Sequence, residues 1–246
     1  MQTLERSGTD KDRFAWTVIS IALVLPTVVT WLYFVALAEQ ESGWQQLAAV
    51  LGKSVQFLIP VVWVCGIERQ RLEFTPKGSM GLIPGAVFGI TVVMAMLIVY
   101  HGWLKPMGAF DLAGDEIRSK VASLGIRSGG AYLGLGAFYA LVHSGLEEYY
   151  WRWFVFGQLN SRVSLGSALV VSSVGFMAHH VILLTTFFGT SSPLAYLGSL
   201  AVAIGGAFWA WLYDTRGSIY GCWFSHMLVD AGIFMIGYDL VKGTFN

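Results

Sequence analysis

Two adjacent glutamates and an arginine stand inside a long apolar and aromatic run, and they constrain the fold more than any other stretch of the chain. The ions are Glu147, Glu148 and Arg152, within residues 143–159. On membrane-insertion scales, each Asp, Lys or Arg at the centre of a helix costs about 2.5–3.5 kcal/mol. Ionisable groups in such a position need partners from elsewhere in the chain, and they indicate a functional site.

The composition is typical of a membrane protein with several spans. Of the 246 residues, 55% are hydrophobic and 12% are charged, which is about half the charged fraction of a soluble domain. The net charge is zero, and no basic stripe of the kind that binds a phosphate backbone occurs, which excludes nucleic acid as a partner. Cys65 and Cys222 lie in apolar segments without metal-ligand spacing, so we interpret them as small core residues.

Seven apolar runs are long enough to cross about 30 Å of hydrocarbon, which takes about 20 residues. The predicted spans are 16–38, 47–67, 82–100, 130–156, 165–188, 194–213 and 219–236. The first run follows a basic N-terminus and ends in small residues that resemble a signal-peptide cleavage site. It is longer than the roughly 7–15 apolar residues of a signal peptide, so we expect it to be a retained span.

Basic residues orient the predicted spans. Those next to the first, second, fourth and sixth spans fall on one side: Arg6, Lys11, Arg13, Arg69, Arg71, Lys77, Arg162 and Arg216. The connections at 39–46 and 189–193 contain no Lys or Arg, and the positive-inside rule therefore puts the N-terminus in the cytoplasm. Lys53 lies near the end of the second predicted span, and we expect it to snorkel to the interface.

The connection 101–128 has apolar residues at near-helical spacing. This pattern predicts an amphipathic helix that lies in the interface, or a segment that dips into the membrane. The predicted fold is therefore all-α, a polytopic transmembrane helical bundle of seven or eight helices.

Two later spans carry further ionisable residues, His179 and His180 in the fifth and His226 and Asp230 in the seventh. If they are buried, these groups cost least when they face one another around a shared polar cavity. At about 1.5 Å per residue they lie, with Glu147, about 10–22 Å from the inner ends of their spans. We therefore expect the three spans to build one site at a common depth.

Helical spacing assigns faces to these residues. Glu148 and Arg152 are four apart and can pair along the helix, which leaves Glu147 free to point into the cavity. His226 and Asp230 are also four apart, so the carboxylate can orient the imidazole.

Two other histidines are possible members of the site. His143 lies four residues before Glu147 on the same face, where it could tune the carboxylate or touch substrate, but a satisfied core histidine is the simpler interpretation. His179 projects about 100° from His180, and we interpret it as an interhelical hydrogen-bond donor.

Three motifs in this order resemble those of the CPBP or Abi intramembrane proteases, named for CAAX prenyl proteases and bacteriocin-processing or immunity proteins. E-E-x-x-x-R is matched at 147–152, F-x-x-x-H at 176–180 and H-x-x-x-N/D at 226–230. The resemblance covers roughly 128–237. It divides one integral bundle into N-terminal spans with their interfacial connection, 1–127, and a catalytic core, 128–246.

The resemblance implies an intramembrane endopeptidase that hydrolyses a peptide bond in a membrane-associated protein or peptide. Glu147 would be the general base on water, with His180 assisting, and His226 and Asp230 would stabilise the oxyanion. Glu148 and Arg152 would support these groups. The implied roles agree with the chemistry of the residues, because a carboxylate in an apolar environment is a stronger base than one in water.

Zinc is the open alternative, bound by Glu147, His180 and His226 with a position left for water. No H-E-x-x-H occurs, and the resemblance suggests a metal-free glutamate mechanism, which we prefer. Two other functions stay open. One is a non-catalytic immunity or scaffold protein of the same family, and the other is an ion-coupled transporter, for which no inverted repeat is visible. The expected location is a bacterial cytoplasmic membrane.

Overall fold

The computed structural model describes residues 2–40, 42–72, 74 and 80–245, with side-chain environments from residue 12 onward except at residue 42. This part of the chain contains eight helices and no strand. The helices are α1 (2–36), α2 (42–67), α3 (Leu82–Leu104), α4 (Asp111–Ser123), α5 (129–160), α6 (Leu165–Phe188), α7 (Pro193–Arg216) and α8 (Tyr220–Thr244). The prediction of an all-α bundle with seven or eight helices is confirmed.

Six of the helices are long and apolar enough to cross a membrane, namely α1, α2, α3, α6, α7 and α8. The chain is therefore an integral membrane protein. The predicted span 130–156 corresponds to α5, which is not among the six. Of the basic residues that set the predicted orientation, Lys77 and the side chains of Arg6 and Lys11 lie outside the described residues.

The connection 101–128 contains an eighth helix, α4, which lies across one end of the bundle. Arg118 Nη1 donates to the backbone oxygen of Leu240 near the end of α8, at 3.0 Å. The Lys120 ammonium lies 4.2 Å from the ring centre of Tyr33 near the end of α1, and α4 also contacts α6. With 13 residues, α4 is too short to cross the membrane. These contacts agree with the predicted interfacial helix.

α5 is the central helix of the bundle, and it is not a regular α-helix. π-helical stretches at Phe138–His143 and Tyr149–Phe156 flank the single α-helical turn Ser144–Glu148. π-turns are rare and occur frequently at functional sites. The second stretch buries most of its aromatic side chains in the core, and Tyr150 Oη donates to the backbone oxygen of Ala22 at 2.7 Å. The glutamates therefore lie on a helix that α1 holds in place.

α3 and α8 approach each other closely enough for their backbones to touch. A Cβ atom added to Gly85 of α3 would overlap the backbone oxygen of Gly221 in α8. Small residues permit this approach, which is how helices commonly associate in lipid. α2 packs differently, through side chains, against α1 and α5.

We predict that Gly85→Ala destabilises the protein by at least the roughly 1–3 kcal/mol typical of overpacking, because no side chain at the contact can move aside. The matched control is Gly134→Ala, whose added Cβ meets nothing within 4 Å and which gains helix propensity. Thermal unfolding in detergent micelles measures both variants. Equal midpoints for the two would contradict the backbone contact between α3 and α8.

Candidate active site

Glu147 lies in the α-helical turn of α5, with its side chain buried at 3% exposure. Its Oε1 is 3.8 Å from His143 Nε2 and 3.7 Å from His179 Nε2, and its Oε2 is 3.9 Å from His226 Nε2. These histidines come from α5, α6 and α8. These separations are too long for direct hydrogen bonds, and the carboxylate and the imidazoles surround one space in which a water could contact several of them.

Glu148 joins α5 to α8. Its Oε2 lies 3.2 Å from Arg152 Nε, and its Oε1 lies 2.8 Å from His226 Nδ1. The Arg152 guanidinium is stacked 4.4 Å from the ring centre of Phe176 and 5.0 Å from that of Trp209. Glu148 and Arg152 are both buried, so each ion needs the other to offset the loss of hydration. The structure thus forms the helical pair that the spacing predicts.

His226 lies among three carboxylates. Its Nδ1 faces Glu148, while its Nε2 lies 3.5 Å from Asp230 Oδ1 and also faces Glu147. The ring stacks on Trp209, with ring centres 4.3 Å apart and planes 17° from parallel. The hydrogen bond to Glu148 fixes the ring, and its other nitrogen points at the space beside Glu147.

His179 and His180 both reach the site, although adjacent residues of a helix project in different directions. His179 is buried, stacks on Trp151 at an angle of 6°, and brings Nε2 to within 3.7 Å of Glu147. His180 Nδ1 is held by the backbone oxygen of Phe176 at 2.9 Å. The ring centres of the two histidines are only 4.2 Å apart. Helical spacing predicted His179 only as an interhelical hydrogen-bond donor, whereas the structure places its ring beside Glu147.

Sequence comparison finds a family to which part of the chain is similar. Residues 129–232 match a family model described as type II CAAX prenyl endopeptidase Rce1-like. These residues are called the Rce1-like segment below, after the family to which they are similar. No curated protein and no solved structure matches the chain. The Rce1-like segment begins with α5 and ends within α8, so it includes every motif-bearing residue from Glu147 to Asp230 and leaves out α1 to α4.

A metal could be held within the Rce1-like segment by Glu147, His179 and His180. One ligand atom from each of these residues lies within 4.8 Å of the other two. Zinc bonds of about 2.0–2.2 Å hold two ligands no more than about 4.4 Å apart, so a small side-chain movement would bring this set onto one ion. The hydrogen bond of His180 Nδ1 leaves Nε2 available. The zinc alternative drawn from the sequence used His226 as the third ligand, whereas this set contains His179. His226 Nδ1 is instead hydrogen-bonded to Glu148.

Lys53 is an ionisable residue at the site that the sequence analysis placed at the interface. The backbone oxygen of Phe57, one turn further along α2, accepts from Tyr149 Oη of α5, two residues after Glu147. α2 begins at Ser42, which puts Lys53 eleven residues, or about 16 Å, into the helix. The signal that could have found it is an ion within an apolar run, the criterion that singled out Glu147. Lys53 lies outside the Rce1-like segment.

We predict that Arg152→Met costs about 3–5 kcal/mol of stability, because it leaves Glu148 buried without its cation. In the double variant with Glu148→Gln, we expect much of this loss to disappear, because the amide oxygen still accepts from His226 Nδ1 and no unpaired ion remains. Denaturant titration in detergent micelles gives the free energy of unfolding of each variant. If the loss of stability in the double variant equalled the sum of the losses in the two single variants, the two residues would not interact.

Proposed function

We propose that the protein is an intramembrane endopeptidase that hydrolyses a peptide bond in a membrane-associated protein or peptide. The observation that carries this proposal is the different surroundings of the two glutamates. Among the described residues, Glu147 has only histidines within ion-pair distance, whereas Glu148 is occupied by Arg152 and His226. Glu147 is therefore available as a base, and it lies in a segment that matches a family of endopeptidases.

In the proposed reaction, Glu147 takes a proton from water and the hydroxide attacks the carbonyl carbon of the scissile bond. His180 assists by orienting the water, and the nearby ring of His179 is placed to do the same. Glu147 then gives the proton to the leaving nitrogen as the C–N bond breaks. The products are a carboxylic acid and an amine, so the consumed water accounts for all the atoms.

His226 and Asp230 stabilise the oxyanion of the tetrahedral intermediate in this proposal. His226 with protons on both nitrogens donates from Nδ1 to Glu148 and keeps Nε2–H for the oxyanion. Asp230 can donate only when its carboxyl group is protonated, so we assign it either that role or the orientation of the imidazole. Glu148 and Arg152 hold His226 in place and do not touch substrate.

The substrate we propose is a terminal segment of a membrane-associated protein, either a leader or a C-terminal tail. The family name refers to CAAX prenyl endopeptidases, and processing of this kind would require a prenylated partner. A bacterial cytoplasmic membrane remains the proposed location, and 128–246 the proposed catalytic core. A metal-free mechanism remains our preference over zinc.

We predict that Glu147→Gln lowers the rate of cleavage by about 10²–10⁴-fold, the usual contribution of a general base. Peptide termini of the membrane proteome are compared between cells that make the wild type and cells that make the variant, at equal protein levels. Glu116→Gln, on the exposed surface of α4, is the control and leaves the termini unchanged. Unchanged termini with Glu147→Gln would favour the non-catalytic family member instead.

We predict that the purified enzyme retains activity in a zinc chelator and contains far less than one equivalent of zinc by elemental analysis. Glu147 would then activate water without a Lewis acid. Loss of activity in chelator that added zinc restores would overturn this prediction. Glu147, His179 and His180 would then be assigned as the ligands, and His179→Ala would lower the zinc content.

A further inference from the structure

We propose that Lys53 of α2 binds the carboxylate at the C-terminal end of the peptide substrate. α2 would then provide specificity, while α5, α6 and α8 provide the reacting groups. The proposal rests on the proposed peptidase function of the site. It concerns a residue outside the Rce1-like segment.

The packing of α2 on α5 puts Lys53 at the level of Glu147. Both helices begin at the end of the bundle where α4 lies, so they run in the same direction. Tyr149 Oη of α5 donates to the backbone oxygen of Phe57 in α2, at 3.3 Å. Lys53 is one turn before Phe57, and this turn of α2 lies beside the turn of α5 that precedes Tyr149 and contains Glu147.

Lys53 has a positive charge that the described residues leave without a contacting counter-ion. No Asp or Glu oxygen in the described part of the chain lies within 4.0 Å of its ammonium. The ammonium lies 5.7 Å from the ring centre of Phe57, a contact that does not neutralise it. Lys53 lies about 16 Å along the helix axis from the first residue of α2. An ion held at this depth indicates a functional partner.

A substrate carboxylate is a better candidate for the counter-ion of Lys53 than Glu147 is. A lysine that served only to neutralise Glu147 would gain most from direct contact, and the two are not in contact. Each peptide residue spans about 3.3–3.6 Å, so a carboxylate two or three residues beyond the scissile bond lies about 7–11 Å from the bond. That carboxylate would be repelled by the acidic residues of the site unless a cation received it, and Arg152 is already paired with Glu148.

Gln56 provides a second, independent observation on the same face of α2. It lies one turn beyond Lys53, is fully buried, and neither its amide nitrogen nor its amide oxygen has a hydrogen-bond partner among the described residues. A buried amide without partners is destabilising. A peptide backbone offers both a donor and an acceptor, so the chain that brings a carboxylate to Lys53 can also satisfy Gln56.

The test uses a fluorescent S-farnesylated tetrapeptide that begins with cysteine, made with either a C-terminal carboxylate or a C-terminal carboxamide. Fluorescence anisotropy gives the affinity of each peptide for the Glu147→Gln protein in lipid nanodiscs. We expect the carboxylate form to bind about 10-fold or more tightly than the carboxamide, as for a charge-assisted pair. Adding Lys53→Met abolishes this preference, Lys53→Arg keeps most of it, and Lys242→Met, at an exposed lysine, leaves it unchanged. Equal binding of the two peptides would overturn the proposal.

Kinetics with the active protein separate this role from an effect on the base. Binding of the substrate carboxylate predicts that Lys53→Met raises KM for the carboxylate peptide only and leaves kcat for both peptides unchanged. A fall in kcat that is equal for both peptides would overturn the proposal, because Lys53 would then act on Glu147. Carboxylate-selective binding without cleavage would keep the anion site and disprove the peptidase. Cleavage of both peptides without a preference for the carboxylate form would support the peptidase and disprove the anion site.

Discussion

The buried carboxylate of Glu148 is the contact on which the arrangement of the site depends. One of its oxygens faces Arg152 on the same helix and the other faces His226 on α8. Arg152 in turn is stacked on aromatic rings from α6 and α7. A single anion therefore connects four helices through direct or successive contacts, and it does so at the turn that presents Glu147 to three histidines.

His226 is placed to offset the negative charge that the carboxylates bring to the site. Its Nδ1 faces Glu148, and its Nε2 faces Glu147 and Asp230. A proton on each of its nitrogens would put a positive charge between these groups. Buried ions are tolerated when their surroundings compensate them. The same histidine can thus serve both the stability of the site and its proposed chemistry.

The sequence predicted the all-α class, the spans other than α5 and the residues that converge, because apolar periodicity and ions in apolar runs are read directly. It did not predict the two π-helical stretches of α5. Helical wheels assume 3.6 residues per turn, and nothing in the composition of 138–143 or 149–156 announces a π-helix. Lys53 was placed near the end of its span for a different reason. The apolar run begins at residue 47, whereas α2 begins five residues earlier, at Ser42.

The contact between Gly85 and Gly221 has a mechanical consequence for the proposed catalysis. A side chain can change rotamer when its neighbour moves, but a contact between two backbones cannot adjust in this way. We therefore expect α3 and α8 to move together. His226 follows Gly221 by five residues and shares this constraint. A misplacement of about 1 Å can cost about 100-fold in rate, so a rigid position suits the residue that we propose as the stabiliser of the intermediate. Elements that are held by side chains, such as α2, keep more freedom to move when the proposed polypeptide substrate enters.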